Sequence, residues 1–473
     1  MKAELVIIPF PVTGHLVSIV ELAKLLIERD DHLSIKFLLF NLPFDPSAKS
    51  YIQSLLTETT KGIEYVQLSD PQPQDDPLMP QNPLALLYGI VESQKPQVRN
   101  FVAQLKKESS GSSKVTGFIV DTFCAAMIDV ANEFELPTYV FYASGAAIIG
   151  LRYHLLSLVD ENCDLSEYVD SDLQLPVSTY IHPVPAKQCP PEMFDADSPY
   201  LKMVRRWVGE SKGIIVNTFL DLESYAIQAL LRNQSLLAIY PVGPLINFRG
   251  ISNNLENSET ILRWLDDQPN SSVVFLCFGS FGSFELDQVK EIAKAVEQSG
   301  CRFLWSLRKA RNKKLLEYPS EYDDYEEVLP EGFLDRTCGI GKVIGWAPQS
   351  LVLGHPAVGG FVTHCGWNSV LESVWFGVPM ATWPMYAEQQ LNAFLLVKDL
   401  GIAVEIRMNG NQGVVVVGAD EIEGGIRKLM QLDGDIRARV KELKEKARNA
   451  LSAGGSSQSS IGRLINDFRG SHD

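Results

Sequence analysis

Short apolar runs rich in β-branched residues alternate with amphipathic segments along most of this chain, and that alternation limits the fold more than any other feature. Leu5 to Phe10 is followed by a helical stripe through Val17, Val20, Leu22 and Leu25, then by a second run from Leu33 to Phe40. The pattern resumes at Val115 to Asp121, Pro137 to Tyr142 and Gly213 to Asn217. Such runs predict parallel strands joined by crossover helices, because a parallel sheet is covered on both faces and its strands are apolar throughout.

A second series has the same architecture without repeating the sequence: Val273 to Phe278, a helix from Leu286 to Gln298, Phe303 to Leu307, Val343 to Trp346, Gly360 to His364 and Val378 to Trp383. Between the two series, Tyr240 to Thr260 carries Pro241, Gly243, Pro244, Gly250 and several Asn and Ser residues with no apolar period, which marks a linker. The expected organisation is α/β, with a doubly wound parallel sheet in residues 1–240, a linker at 241–260 and a second such domain at 261–455. Gly454 to Ser460 breaks the chain again, and the helical pattern Ile461 to Phe468, within residues 456–473, is expected to pack back on the first domain. A chain of 473 residues is long enough for two cores of this size.

Forty-two basic against 58 acidic residues give a net charge of −16, which excludes long-range attraction to nucleic acid or to an anionic membrane surface. A nucleotide ligand would have to be captured by local geometry. No run reaches the roughly 18 apolar residues of a spanning helix, and Leu5 to Pro11 lacks the features of a signal peptide, so a cytoplasmic protein without membrane insertion is expected. The seven cysteines are scattered and show no C-x-x-C spacing, which suggests neither a disulfide frame nor a zinc site. The acidic, Tyr-containing stretch Glu317 to Glu327 reads as a solvated loop without function.

Chemistry concentrates where apolar runs end. His364-Cys365-Gly366-Trp367-Asn368-Ser369 follows one such run and precedes the helical pattern Val370, Leu371, Val374. Strand, glycine turn and helix start in that order bring free N–H groups and the positive end of a helix dipole together, so the stretch reads either as a phosphate site or as an ordinary helix capped by Asn368 or Ser369. Phe278-Gly279-Ser280-Phe281-Gly282 is a weaker instance of the same arrangement. His15 follows the first strand within Pro11-Val12-Thr13-Gly14-His15, and Asp121 ends another; both positions lie where α/β sheets bind ligands. Asp121 suits a helix cap as well as a partner for an imidazole.

The stretch WAPQSLVLGHPAVGGFVTHCGWNSVLESVWFGVPMATWPMYAEQQ, from Trp346 to Gln389, resembles over its whole length the signature box of plant UDP-dependent glycosyltransferases of secondary metabolism. The similarity extends to the amino-terminal region and implies a GT-B fold, two Rossmann-like domains facing a cleft. By the same resemblance Trp346, Ala347 and Gln349 meet the uridine, Glu372 accepts both ribose hydroxyls, and Ser280, His364, Asn368 and Ser369 touch the diphosphate. Trp367, which also belongs to the UDP site, matches a sugar-holding position together with Glu388 and Gln389. Gln389 at the end of the box goes with glucose donors, where His goes with galactose. His15 matches the general base and Asp121 the carboxylate that fixes its tautomer, which implies an inverting displacement.

The resemblance thus implies a UDP-glucose-dependent transferase acting on a hydroxyl of a small, mostly apolar acceptor, acting as a monomer with no metal and no further cofactor. Asp-x-Asp, the metal motif of other transferases, occurs at Asp170/Asp172, Asp195/Asp197 and Asp433/Asp435, but none of these ends a strand beside a nucleotide motif. Many relatives have a threonine where this chain has Ala143, which leaves one sugar contact open, with Ser144 as a substitute. Acceptor choice is expected from Leu84 to Leu87, Ala146 to Tyr153, Tyr180 to Phe194 and Ala387. Other donors (UDP-xylose, UDP-galactose, UDP-glucuronic acid) and a UDP-sugar-binding protein without turnover are the alternatives, the latter opposed by the joint presence of His15 and Asp121. A dinucleotide-dependent dehydrogenase fails for want of G-x-G-x-x-G after a strand.

Overall fold

The computed structural model describes residues 2–42, 45–70, 83–108, 113–233, 237–248, 255–310, 318–408, 416–432 and 434–470. Gly250, Glu317 and Asp433, named above, lie outside these residues.

Both series fold into parallel sheets. The first contains β1 (Lys2–Ile8), β2 (Leu33–Leu39), β3 (Ile63–Gln67), β4 (Ser113–Asp121) and β5 (Thr138–Tyr142). After a short antiparallel ribbon of β6 (Gln174–Leu175) and β7 (Val184–Pro185), β8 (Gly213–Val216) and β9 (Ala238–Pro241) complete it. Its order is β3-β2-β1-β4-β5-β8-β9. The second sheet comprises β10 (Val273–Cys277), β11 (Arg302–Ser306), β12 (Gly341–Ile344), β13 (Val358–Thr363), β14 (Met380–Thr382) and β15 (Ala403–Glu405), in the order β12-β11-β10-β13-β14-β15.

Central strands are buried on both sides, as their unbroken apolar runs require: every residue of β5, β8, β10, β13 and β14 is buried. Strands β3 and β15 escape detection in the sequence because each is a short sheet edge that is partly exposed and so lacks a continuous apolar run. Between strands, helix Thr13–Arg29 buries Leu16, Ile19, Val20, Ala23 and Leu26. Of the stripe read in the sequence, Val20 and Leu22 are buried in the core, and Val17 and Leu25 sit half-buried at its margin.

Helix Leu255–Asp266 begins inside the stretch read as linker, where the Asn-rich segment gives way to Ile261 and Leu265 in the core. Helix Ser456–Arg469 lays Ile461, Leu464, Ile465 and Phe468 against the first sheet, and the Phe468 ring meets Tyr139 edge-on at 4.9 Å. Among the described residues no helix is long and apolar enough to cross a membrane.

Candidate active site between the two sheets

In each sheet the strand order reverses at one place, between β1 and β4 in the first and between β10 and β13 in the second. Loops leaving neighbouring strands there turn to opposite faces and open a crevice at the carboxyl ends. His15 and Asp121 flank the first reversal; Ser280 and His364 flank the second. A cavity of about 340 Å³ lies between them, and every residue that the sequence assigned to proton transfer, UDP or sugar lines it except Asp121. That carboxylate is fully buried and stands behind His15.

Asp121 does both things its position allowed. Its Oδ1 accepts from Phe123 N–H at 2.9 Å and so caps the turn after β4, while Oδ2 lies 2.8 Å from His15 Nδ1. A carboxylate there accepts from Nδ1–H and leaves Nε2 as the proton-accepting nitrogen. The Phe10 and Phe123 rings stand beside the imidazole at 6.2 and 5.5 Å. Burial is the largest single influence on His15 and opposes its charge, yet the charge and hydrogen bond of Asp121, helped by Glu388, outweigh it and raise the pKa.

The second lobe builds its end of the cavity from dipoles. Cys365, directly after His364, has a φ of 63°, and Gly279, directly after Phe278, has a φ of 74°. These left-handed residues turn the chain sharply at each strand end. The loops close around His364: a Cβ on Gly279 or on Gly366 would stand 2.4 Å from its Nε2. Burial pushes the pKa of His364 down to about 4, so this imidazole is neutral at physiological pH.

Helix Trp367–Phe376 begins at Gly366 with no side-chain cap, which corrects the capping alternative for Asn368 and Ser369. Both side chains are engaged elsewhere. Asn368 Nδ2 donates to Gly14 O at 2.7 Å and its Oδ1 accepts from Ser18 Oγ at 3.1 Å, while Ser369 Oγ accepts from Gln349 Nε2 at 2.9 Å. Trp367 Nε1 donates to Asn217 O at 2.7 Å, and Ser144 Oγ donates to Glu388 Oε1 at 3.1 Å. Residues that the sequence placed on phosphate and sugar therefore also fasten the second lobe to the first.

Glu372 lies one turn beyond Asn368 and accepts from Gln349 Nε2 at 2.8 Å. Burial raises its pKa to about 7 against the hydrogen bonds of Gln349 and Ser350. Gln389 Oε1 accepts from the backbone N–H groups of Met385 and Tyr386 at 3.0 and 3.1 Å. Ala143 lines the cavity, as does Ala387 with its left-handed φ of 53°. Of the other stretches read for acceptor choice, Leu84 to Leu87 falls in helix Pro83–Ser93, while Tyr180, Met193 and Phe194 are buried.

Four participants were missed. Arg308, just past β11, is buried, lines the cavity and places its guanidinium over the Trp346 ring at 5.1 Å; a charged residue closing an apolar run was the available signal. Asn217, just past β8, is fully buried and gives its carbonyl to Trp367. Tyr318 also lines the cavity and donates to Asp45 Oδ2 of the opposite lobe, and Glu321 accepts from Trp346 N–H at 2.8 Å. These two contacts correct the reading of the acidic stretch as functionless. Most of it is exposed, but a tyrosine at its start faces inward and one carboxylate folds back onto the Trp346 turn. Among the described residues no three His, Cys, Asp or Glu side chains gather as a metal site would need.

Residues 217–415 match the family described as UDP-glucoronosyl and UDP-glucosyl transferase. The chain is 49% identical to UDP-glucose flavonoid 3-O-glucosyltransferase 6 of Fragaria ananassa, over 99% of both proteins. Among solved structures it is similar to a ugt transferase from Siraitia grosvenorii in complex with UDP, at 42% identity and a TM-score of 0.87 over 99% of this chain and 100% of that one. Medicago truncatula UGT71G1 complexed with UDP-glucose matches at 42% identity and a TM-score of 0.86, over 99% and 98% of the two chains. The chain belongs to the plant UDP-glycosyltransferases of secondary metabolism, and it is an enzyme with their GT-B fold.

Proposed function

We propose that this enzyme is an inverting, UDP-glucose-dependent O-glucosyltransferase for a small hydroxylated, largely apolar acceptor, with His15 as general base and Asp121 as its partner. One observation carries the reading: a carboxylate-backed imidazole at the reversal point of one sheet shares a cavity with a cradle of neutral donors at the reversal point of the other. His15 Nε2 takes the proton of the acceptor hydroxyl as its oxygen bonds to the anomeric carbon. The bond from that carbon to the UDP oxygen breaks on the opposite face, and UDP leaves with the electron pair. Asp121 stabilises the imidazolium.

Charge developing on the diphosphate meets the amino end of helix Trp367–Phe376, neutral His364 and the Ser280 loop. Trp346, backed by Arg308, takes the uracil with Ala347 and Gln349 beside it, and Glu372 takes the ribose hydroxyls. Asn368 and Ser369 turn from their protein partners to the diphosphate. For glucose, Glu388 accepts hydroxyl hydrogens, and Gln389, whose Oε1 is already occupied, offers its Nε2, with Trp367 alongside. UDP-glucose in the name of the Fragaria protein and as the ligand complexed with the Medicago protein supports that donor, and the flavonoid in the former supports an aromatic acceptor.

Incubation with UDP-glucose and a mixed panel of phenolic and terpenoid alcohols, followed by UDP release, product mass and anomeric configuration, tests the reading. The expected product is a β-glucoside made without added metal. Retention of configuration, or preference for UDP-xylose, UDP-galactose or UDP-glucuronic acid in direct competition, would contradict it.

A further inference from the structure

Beyond the groups used above, the first lobe buries a guanidinium that no carboxylate among the described residues neutralises. Arg152, on helix Ala146–Asp160, is only 7% exposed, and its Nε and Nη1 have no hydrogen-bond partner among those residues. Tyr142 and Tyr200 each hold a ring 4.8 Å from the guanidinium carbon, and Trp207 lies at 6.0 Å. The hydroxyls of both tyrosines are likewise buried without a partner. π faces offset part of the cost of burying such a cation, but they do not satisfy its N–H donors. A planar donor fork beside two idle hydroxyls is matched by an oxygen-rich, planar group.

The location ties this cluster to the reaction. Tyr142 ends β5 and is followed by Ala143, which lines the cavity, and by Ser144, which binds Glu388. His15 feels the Arg152 charge, which opposes its protonation. Burial opposes the charge of Arg152, and Tyr142, Tyr200 and then Glu388 favour it, with no carboxylate among the described residues at ion-pair distance.

We propose that Arg152, with the hydroxyls of Tyr142 and Tyr200, forms a subsite for an electron-rich oxygen of the acceptor, a carboxylate or a conjugated carbonyl, on the side of the molecule away from the reacting hydroxyl. This rests on the transferase reading and narrows it: the acceptor is an aromatic hydroxy compound carrying a second, hydrogen-bond-accepting oxygen function. Arg152 is a specificity-determining residue and takes no part in proton transfer.

Three matched phenols test it, bearing para to the hydroxyl a carboxylate, its methyl ester or a methyl group. In the wild type the carboxylate and ester are expected to exceed the methyl compound in kcat/KM by at least about tenfold, the scale of one charged hydrogen bond, mainly through KM. Preference for the acid alone identifies a carboxylate; equal preference for acid and ester identifies a carbonyl. In Arg152→Met the ratio collapses towards one, and in Arg152→Lys it lies between. A ratio that is the same in wild type and Arg152→Met overturns the proposal.

Benzoate, which has the carboxylate but no nucleophile, provides a reading that depends neither on turnover nor on a variant that folds. Quenching of wild-type fluorescence by benzoate, displaced by the phenols and not by UDP, supports the subsite; absence of binding overturns it. Failure of the transferase reading would look different, as no UDP release with any phenol while the benzoate titration still decides for or against Arg152.

Discussion

Two histidines line the same cavity, each just beyond a strand that borders the reversal point of its sheet, and the protein pushes them in opposite directions. Burial opposes the charged form of both. At His15 a carboxylate 2.8 Å away reverses the outcome, whereas His364 has no such partner and stays neutral at physiological pH. The lobes thus differ in kind. The first places coupled charges where the proposed mechanism takes up a proton, and the second places neutral dipoles where that mechanism develops negative charge. Strand ends on opposite sides of the reversal points of two similar sheets acquire different chemistry through one aspartate.

The comparison breaks most severely if that aspartate is neutralised. Asp121→Asn leaves His15 with burial and without its counter-charge, so its pKa falls towards the behaviour of His364. Transfer is expected to drop by about 10²–10⁴-fold, the usual worth of a positioned base. In the wild type kcat/KM rises with pH as His15 loses its proton, with a midpoint above the ordinary imidazole value of about 6.5. A pH–rate profile of the variant should show that midpoint moved to lower pH. The stabilisation from the pair follows the sign of a raised pKa: it is fully present below about 6.5 and lost as pH rises through the folded value.

The second lobe is expected to break through its geometry. Gly279→Ala forces a Cβ into a left-handed position 2.4 Å from His364 Nε2, which should cost about 1–3 kcal/mol and weaken UDP binding at least tenfold by calorimetry. Glu372 sharpens the contrast because its pKa of about 7 comes from burial that no cation offsets. In its proposed role Glu372 must be ionised to accept two ribose hydroxyls, so UDP affinity should rise with pH by up to about tenfold over two units centred on 7. That part of the rise should vanish in Glu372→Gln, which leaves the ionisation of UDP itself unchanged. Smallest of all, Ser144→Ala removes one 3.1 Å hydrogen bond to Glu388 and should raise the KM for UDP-glucose by less than about tenfold.

How much of this was legible in the sequence follows from where each group sits. Central strands announce themselves because both of their faces are buried, and β10, read from Val273 to Phe278, was found to within one residue. β15, three residues at a sheet edge, carries too little pattern to detect. The signature box from Trp346 to Gln389 delivered the wall of the second lobe because its residues are nearly contiguous. Arg308 and Tyr318 reach the cavity, and Asn217 reaches its Trp367 wall, from three separate segments that no local spacing links. The interdomain bonds of Asn368 and Trp367 were hidden for a related reason: their partners Gly14 and Asn217 lie 354 and 150 positions away.

Titration of wild type and His15→Ala with UDP, paired with UDP release from UDP-glucose in the presence of a phenol, tests the division of labour between the lobes most directly. Both proteins should bind UDP at one site with the same affinity, and only the wild type should transfer glucose. Folded protein that shows no affinity for UDP, or a variant that transfers at the wild-type rate, would contradict it.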